Sequence, residues 1–361
     1  MEPGPGGVVE PQSPRCVRFG VRRDRCAHTH GRKDVREYVH ITTIDVFVRK
    51  THGQRHALLS HRPSRSSRTS VFIPVTGERR MQMTVWVEGA TGKAGRRVVR
   101  ALADAGVPVR AASRHPGAPS RGVVPVRFDW YDPSTWSSAL GDADALFLKG
   151  LDADDDAAEV MTRLIAAAPN VRHVVLMSAV GVDRAPDETP RRAVESAVQN
   201  SGRRWTILRP NWFLQNFDED EWVFAKALRE EGALYASAGR SEVGFVDTRD
   251  IADAAVTVLT HDGHHGRGYT LTGPESVTFG HVADTLSKAS GRPITHVDAT
   301  PDQHRAYFAR SGLSEDWVEH MVDLFALVRA NVFARVSDDY QELTGNPPRT
   351  LEAYAKEMWS R

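Results

Sequence analysis

The sequence predicts an α/β protein: a doubly wound parallel sheet with a small, mostly helical C-terminal lobe over its cleft. Three observations carry this. A strand, a glycine-rich turn, a helix and a second strand follow one another within about thirty residues from Thr84. Further strand-like segments recur at 107–112, 123–127, 144–148, 172–178, 204–208, 243–247 and 268–272, mostly separated by stretches long enough for a crossover helix. Beyond about residue 280 the pattern turns helical, with Met321, Leu324, Phe325 and Val328 on one stripe.

The opening eighty residues lie outside this pattern. They hold 16 Lys/Arg against 7 Asp/Glu, which leaves 31 against 39 for the remainder of a chain whose net charge is +1. Residues 1–82 therefore read as a basic, disordered leader or an upstream extension, with Met81 or Met83 as alternative starts. Cys16, Cys26, His28 and His30 match no zinc-ligand spacing, so no metal is expected there. Residues 83–361 are expected to form one folded unit. The mildly acidic remainder offers no nucleic-acid surface. No apolar run nears the roughly 18 residues that span a bilayer, and the opening residues carry no apolar core behind a basic start, so no secretory signal is expected. A cytoplasmic location with no membrane partner is the expectation.

Thr84–Glu88 (TVWVE) reads as a buried strand running into Gly89-Ala90-Thr91-Gly92-Lys93-Ala94-Gly95. A helix with Val98, Val99, Leu102 and Ala105 on its stripe follows, and Gly106 ends it. This is the context of a Rossmann dinucleotide loop. Gly89 permits the tight turn, Gly92 lets the backbone approach a pyrophosphate, and Gly95 lets helix and strand pack closely. The helix N-terminus presents free N–H groups to phosphate. The second strand ends in Ser113-Arg114, where an NAD site ordinarily carries an acidic residue for the ribose 2′-hydroxyl. Arg114, aided by Ser113, can instead pair with a 2′-phosphate, so NADP(H) is the preferred cofactor and NAD(H) a possible one. A solvated arginine is the plain alternative.

The segment VWVEGATGKAGRRVVRALADAGVPVRAASR resembles the opening of the NmrA-like, atypical short-chain dehydrogenase/reductases. The resemblance runs on through RFDWYDPSTW, GDADALFLKG, VRHVVLMSAVGVD, WTILRPNWFLQNF, GFVDTRDIADAA, YTLTGPESVTF and LTGNPPRTLEAYAKE, covering nearly all of 84–361. Within the family it is most similar to the ergot-alkaloid reductases and their bacterial relatives. The resemblance implies that Asp129 and Trp130 lie at the adenine edge, and that Leu148, Lys149 and Gly150 lie beside the nicotinamide ribose. It implies that Ser178 sits next to the nicotinamide and orients substrate, and that Pro210 and Asn211 border the cofactor. Trp212 and Phe213 would wall the substrate pocket, with core packing as their equal alternative, as for Phe217. The substrate lobe would come mainly from 210–243 and 280–361. Asp247 and Asp250 precede a helix at 251–259, where N-capping accounts for at least one of them.

Ordinary short-chain dehydrogenases carry Tyr-x-x-x-Lys, whose lysine lowers the tyrosine pKa for proton transfer. None of the seven tyrosines here has Lys four residues on. Thirteen residues beyond Ser178 stands Arg191, and four further stands Glu195. Two functions survive this. One is an NAD(P)H-dependent reductase delivering hydride to a small acceptor that needs no such relay, namely a quinone, an activated alkene or an imine/iminium. The other is an NADP(H)-binding redox sensor acting through protein partners.

Overall fold

The structure is a computed structural model that describes residues 83–151, 156–219 and 224–360. Cys16, Cys26, His28, His30 and the basic leader fall outside the described residues. Seven strands form one sheet in the order β3-β2-β1-β4-β5-β6-β9, and every neighbouring pair is parallel. They are β1 (Val85–Glu88), β2 (Val109–Ser113), β3 (Val123–Arg127), β4 (Ala145–Leu148), β5 (His173–Met177), β6 (Arg204–Pro210) and β9 (Arg267–Leu271). Between β5 and β9 run α4 (Pro190–Gln199), α5 (Ala225–Glu230), the short β7 (Ala233–Tyr235) and β8 (Glu242–Val243), and α6 (Thr248–Thr260). Earlier crossovers are α1 (Gly95–Asp104), α2 (Trp136–Leu140) and α3 (Ala157–Ala166).

Period-two alternation along β1 sorts its side chains onto two layers. Val85 and Val87 join Val98 and Leu102 of α1 and Ile251, Ala255 and Val258 of α6. Trp86 points the other way, into a core with Trp136 of α2, Met161 and Leu164 of α3 and Val194 and Val198 of α4. Helices therefore cover both faces, which is why β1 and β4 carry no outward polar positions and are buried throughout. Strand order reverses between β1 and β4. At such a switch point the following helices leave to opposite faces and open a crevice beyond the strands' carboxyl ends.

A third core belongs to the C-terminal lobe. It gathers Trp212, Phe217, Phe224, Phe279, Phe325 and Phe333 with residues from α7 (Phe279–Ser290), α9 (Glu315–Arg329) and α11 (Leu351–Trp359). The short β10 (Val277–Thr278) precedes α7, while β11 (Thr295–Val297) and α8 (Pro301–Arg310) follow it, and α10 (Asp339–Thr344) lies between α9 and α11. The stripe Met321, Leu324, Phe325 and Val328 is buried, so core packing is what its spacing encodes. The lobe also draws Ala179, Val182 and Phe245 from outside 210–243 and 280–361.

One strand expectation is corrected. Only Glu242–Val243 of the 243–247 neighbourhood is a strand, and it pairs antiparallel with β10 rather than joining the main sheet. The rest of the segment bonds irregularly instead. Gly244 N–H donates to the Phe333 carbonyl at 3.0 Å, and Val246 N–H to the Trp212 carbonyl at 2.8 Å. Asp247 then caps α6 by accepting from the Arg249 N–H at 2.8 Å. A cap needs extended, non-helical backbone at the position a strand would otherwise claim.

Candidate active site

The carboxyl ends of β1, β2, β4 and β5 converge on the switch-point crevice. Gly89 leaves β1 with φ of +65°, a left-handed turn open to glycine at little cost. A Cβ on Gly95 would lie 2.0 Å from the Gly89 carbonyl oxygen, so α1 can seat against the loop only with glycine there. A Cβ on Gly92 would come within 3.3 Å of the same oxygen. Thr91 and Gly92 are exposed, while Ala94 and Lys93 are buried. Lys93 Nζ donates to Asn216 Oδ1 at 2.8 Å, tying the loop to the segment after β6.

Two buried hydroxyls at these strand ends have no hydrogen-bond partner among the described residues: Ser113 Oγ, closing β2, and Ser178 Oγ, just past β5. A buried hydroxyl left unsatisfied is costly, and a cleft that receives a polar ligand is one place where that cost is recovered. Arg114 is exposed beside Ser113. This set fits a dinucleotide: a glycine cradle that a Cβ would fill, a cationic side chain at the end of β2, and orphaned hydroxyls at the two positions expected to face ribose and nicotinamide.

At the far side, the Asp129 main-chain N–H donates to Thr135 Oγ1 at 3.1 Å, and its carbonyl accepts from the Trp136 indole at 2.9 Å. One Asp129 carboxylate oxygen already accepts from the Tyr131 N–H at 3.0 Å. Trp130 packs edge-on to Phe128, with ring centroids 5.1 Å apart. Leu148 is fully buried at the end of β4, and Lys149 and Gly150 follow it into the crevice.

Glu88 was not singled out by sequence pattern, because it closes an apolar strand and passes for its polar end. It is 6% exposed. Its Oε2 accepts from the Lys149 N–H at 2.8 Å and the Gly150 N–H at 3.2 Å. Burial pushes its carboxyl above the usual carboxylate range, opposed by the charge of Lys149 and by these donors.

The relay position of ordinary short-chain dehydrogenases holds something else. Glu195 is fully buried and takes a bidentate pair from Arg209, at 2.8 and 2.7 Å, with Arg192 at 3.3 Å. Arg191 is also buried. The helix that would present tyrosine and lysine is thus locked by an ion cluster onto β6.

Two residues expected at the site are packed into the interior. Trp212 is 7% exposed and packs edge-on against Phe325, Phe279 and Phe333, with centroids 5.4 to 6.1 Å apart; it is a core aromatic, as is the fully buried Phe217. Asn211 spends its side chain on structure: Nδ2 donates to the Phe333 carbonyl at 2.8 Å, and Oδ1 accepts from the Trp212 N–H at 2.9 Å. Its amide ties β6 to the lobe. Pro210 is buried, and its carbonyl accepts from Val180 N–H at 3.0 Å. Phe213 stays half-buried and bridges to Val246.

A family profile described as NAD(P)H-binding matches residues 89–262. The chain is 34% identical over 283 residues to the NAD(P)H azoreductase of Xenophilus azovorans, an alignment covering 75% of this chain and 96% of that one. It is 35% identical over 284 residues to the (4-alkanoyl-5-oxo-2,5-dihydrofuran-3-yl)methyl phosphate reductase of Streptomyces griseus, covering 76% and 97%. The chain belongs to the NmrA-like atypical short-chain dehydrogenase/reductases. The fold agrees: triphenylmethane reductase from Citrobacter sp., solved with NADP(H), superposes with a TM-score of 0.64 at 24% identity, over 77% of this chain and all of that one. As a member of this family, the protein is an NAD(P)H-dependent oxidoreductase. Among the described residues no helix is long and apolar enough to cross a membrane.

Proposed function

We propose that this NmrA-like reductase passes hydride from NADPH to a small, electron-poor acceptor (a quinone, an activated alkene or an imine/iminium) with no tyrosine–lysine relay. The observation that carries the reading is the pairing of an intact glycine cradle with a relay position filled by Glu195 in an ion cluster with Arg209 and Arg192. The position where the relay lysine would stand is thereby committed to an ion pair with β6, and no tyrosine stands four residues before it. The substrates named for the relatives point the same way, since an azo group and an unsaturated lactone both accept hydride at an activated double bond.

When bound, the nicotinamide supplies the hydride. This chain's residues do the rest by placement. The loop Gly89–Gly95 holds the diphosphate on the amide groups that open α1, while Ser113 and Arg114 take the 2′-phosphate. Ser178 Oγ, buried and without another partner among the described residues, donates to the acceptor's heteroatom and aligns it, and solvent delivers the balancing proton. The C-terminal lobe roofs the cleft, with half-buried Phe213 at its edge. Trp212 shapes that roof from behind.

Nicotinamide absorbance followed with NADPH against a panel of quinones, azo dyes, butenolides and cyclic imines tests this reading. Turnover is expected with at least one class, and Ser178→Ala should lower kcat about tenfold while leaving NADPH affinity within twofold. Tight NADPH binding with no turnover across the panel overturns the reductase reading in favour of a cofactor-sensing protein.

A further inference from the structure

We infer that Glu88 is a positioning residue for the cofactor: its carboxylate supplies a rung that the main chain cannot make across the β1/β4 switch point. The inference rests on the cofactor reading of this crevice. Parallel pairing between β1 and β4 runs from Val85 opposite Ala145 to Val87 opposite Phe147, and stops there. Beyond it the chain turns at Gly89 toward α1, while Lys149 and Gly150 lead away toward α3. Two successive amides, Lys149 N–H and Gly150 N–H, are thus left past the end of the ladder at the mouth of the cleft.

Successive N–H groups of this kind form a nest that attracts an anion. Here the protein fills it from within. One Glu88 oxygen accepts from both amides, at 2.8 and 3.2 Å. The end of β1 and the two residues after β4 are thus fastened together by a single 6%-exposed side chain. On the cofactor reading, these segments lead into the diphosphate loop and the nicotinamide-ribose edge.

Two consequences follow. The Lys149 and Gly150 amides are spoken for, so the dinucleotide meets this segment through carbonyls and side chains. The width of the cleft floor is also set before cofactor arrives, which lowers the ordering cost of binding.

Three substitutions separate acceptor geometry from charge and from stability. Glu88→Gln keeps an oxygen where both amides point, Glu88→Met removes every acceptor, and Glu88→Asp keeps the charge one methylene short. NADPH Kd is measured by titration, KM and kcat by turnover, and Tm by melting, all well below the lowest Tm. The expected result is a Kd at least tenfold weaker for Glu88→Met and Glu88→Asp, with kcat at saturating NADPH within threefold of wild type. Glu88→Gln should stay within threefold in Kd. A purely structural role would lower Tm and leave Kd alone.

Met and Asp variants that bind NADPH within twofold of wild type overturn the inference, and so does a Gln variant as weak as Met. If Glu88→Met does not fold, Glu88→Asp decides. Wild-type protein with no NADPH affinity overturns the cofactor reading and the inference together. Normal wild-type binding with indifferent variants overturns the inference alone.

Discussion

At the scale of single residues, charge and hydroxyl placement separate the two nicotinamide nucleotides. Arg114 stands exposed beside the buried Ser113 Oγ, which has no partner among the described residues, at the end of β2, where the sequence has no carboxylate to take a 2′-hydroxyl. Arg114→Asp should weaken NADPH binding tenfold or more, the scale of one lost charge-assisted contact, and weaken NADH binding by less than threefold. Equal loss of both in a titration would show that Arg114 does not read the phosphate. The places of Ser113, Arg114 and Ser178, at or just past strand ends, were legible in the sequence, and strand ends are where this architecture presents ligands. The hydrogen-bond partners of Glu88 and Asn211 were not. A strand-final glutamate and an asparagine after a proline look like polar edges, and only the fold brings Lys149–Gly150 onto the one and Phe333 onto the other. Trp212 shows the same limit, since an aromatic after a strand can wall a cleft or fill a core. Its neighbours Phe279, Phe325 and Phe333 lie 67 or more residues away in the chain.

At the scale of elements, the contact between α1 and the glycine loop is the tightest built feature of the site. Gly95→Ala would place a methyl group 2.0 Å from the Gly89 carbonyl oxygen, backbone against backbone, with no flexible side chain to yield. The helix must move outward, carrying its N–H groups away from the diphosphate. The expected outcome is a Tm lower by several degrees and NADPH affinity reduced at least tenfold, with Gly106→Ala as the comparison. Gly106 has φ of +75° but open space around it, so that change should cost stability and spare binding. Period and turn chemistry located this element from sequence nearly to the residue. They failed at 243–247, where an apolar run is spent on hydrogen bonds to Trp212 and Phe333 and on the cap of α6. Local pattern has no means of distinguishing a strand from a segment stitched irregularly to distant chain.

At the scale of the whole molecule, two buried histidines couple the fold to pH. His304 is fully enclosed among Phe308, Phe325 and Tyr307, and burial pushes its pKa down to about 4; His173, inside the sheet layer, is likewise pushed down to about 4. An unfolded chain holds these imidazoles near their ordinary 6.5. Between the two values the unfolded state binds more protons, so the stability from burying each neutral ring is complete above pH 6.5 and lost as pH falls toward 4. Asp250, raised to about 6 by burial, acts in the opposite sense, and a variant difference removes it from the comparison. Denaturant melts at pH 7 and pH 5 should show wild type losing about 2 kcal/mol more than His304→Leu. Identical pH slopes would mean that His304 finds a proton-accepting partner in the fold. The lobe core in which His304's neighbour Phe325 sits also has a temporal side. Trp212 and Phe217 are synthesised more than 130 residues before Tyr354 and Trp359, which complete their enclosure. On the ribosome, the nucleotide cradle and all strands from β1 to β6 exist long before that enclosure can close. A nascent chain held at the end of α6 therefore has its cradle assembled while several large aromatic rings remain bare, and that interval is when a chaperone would have the most to grip.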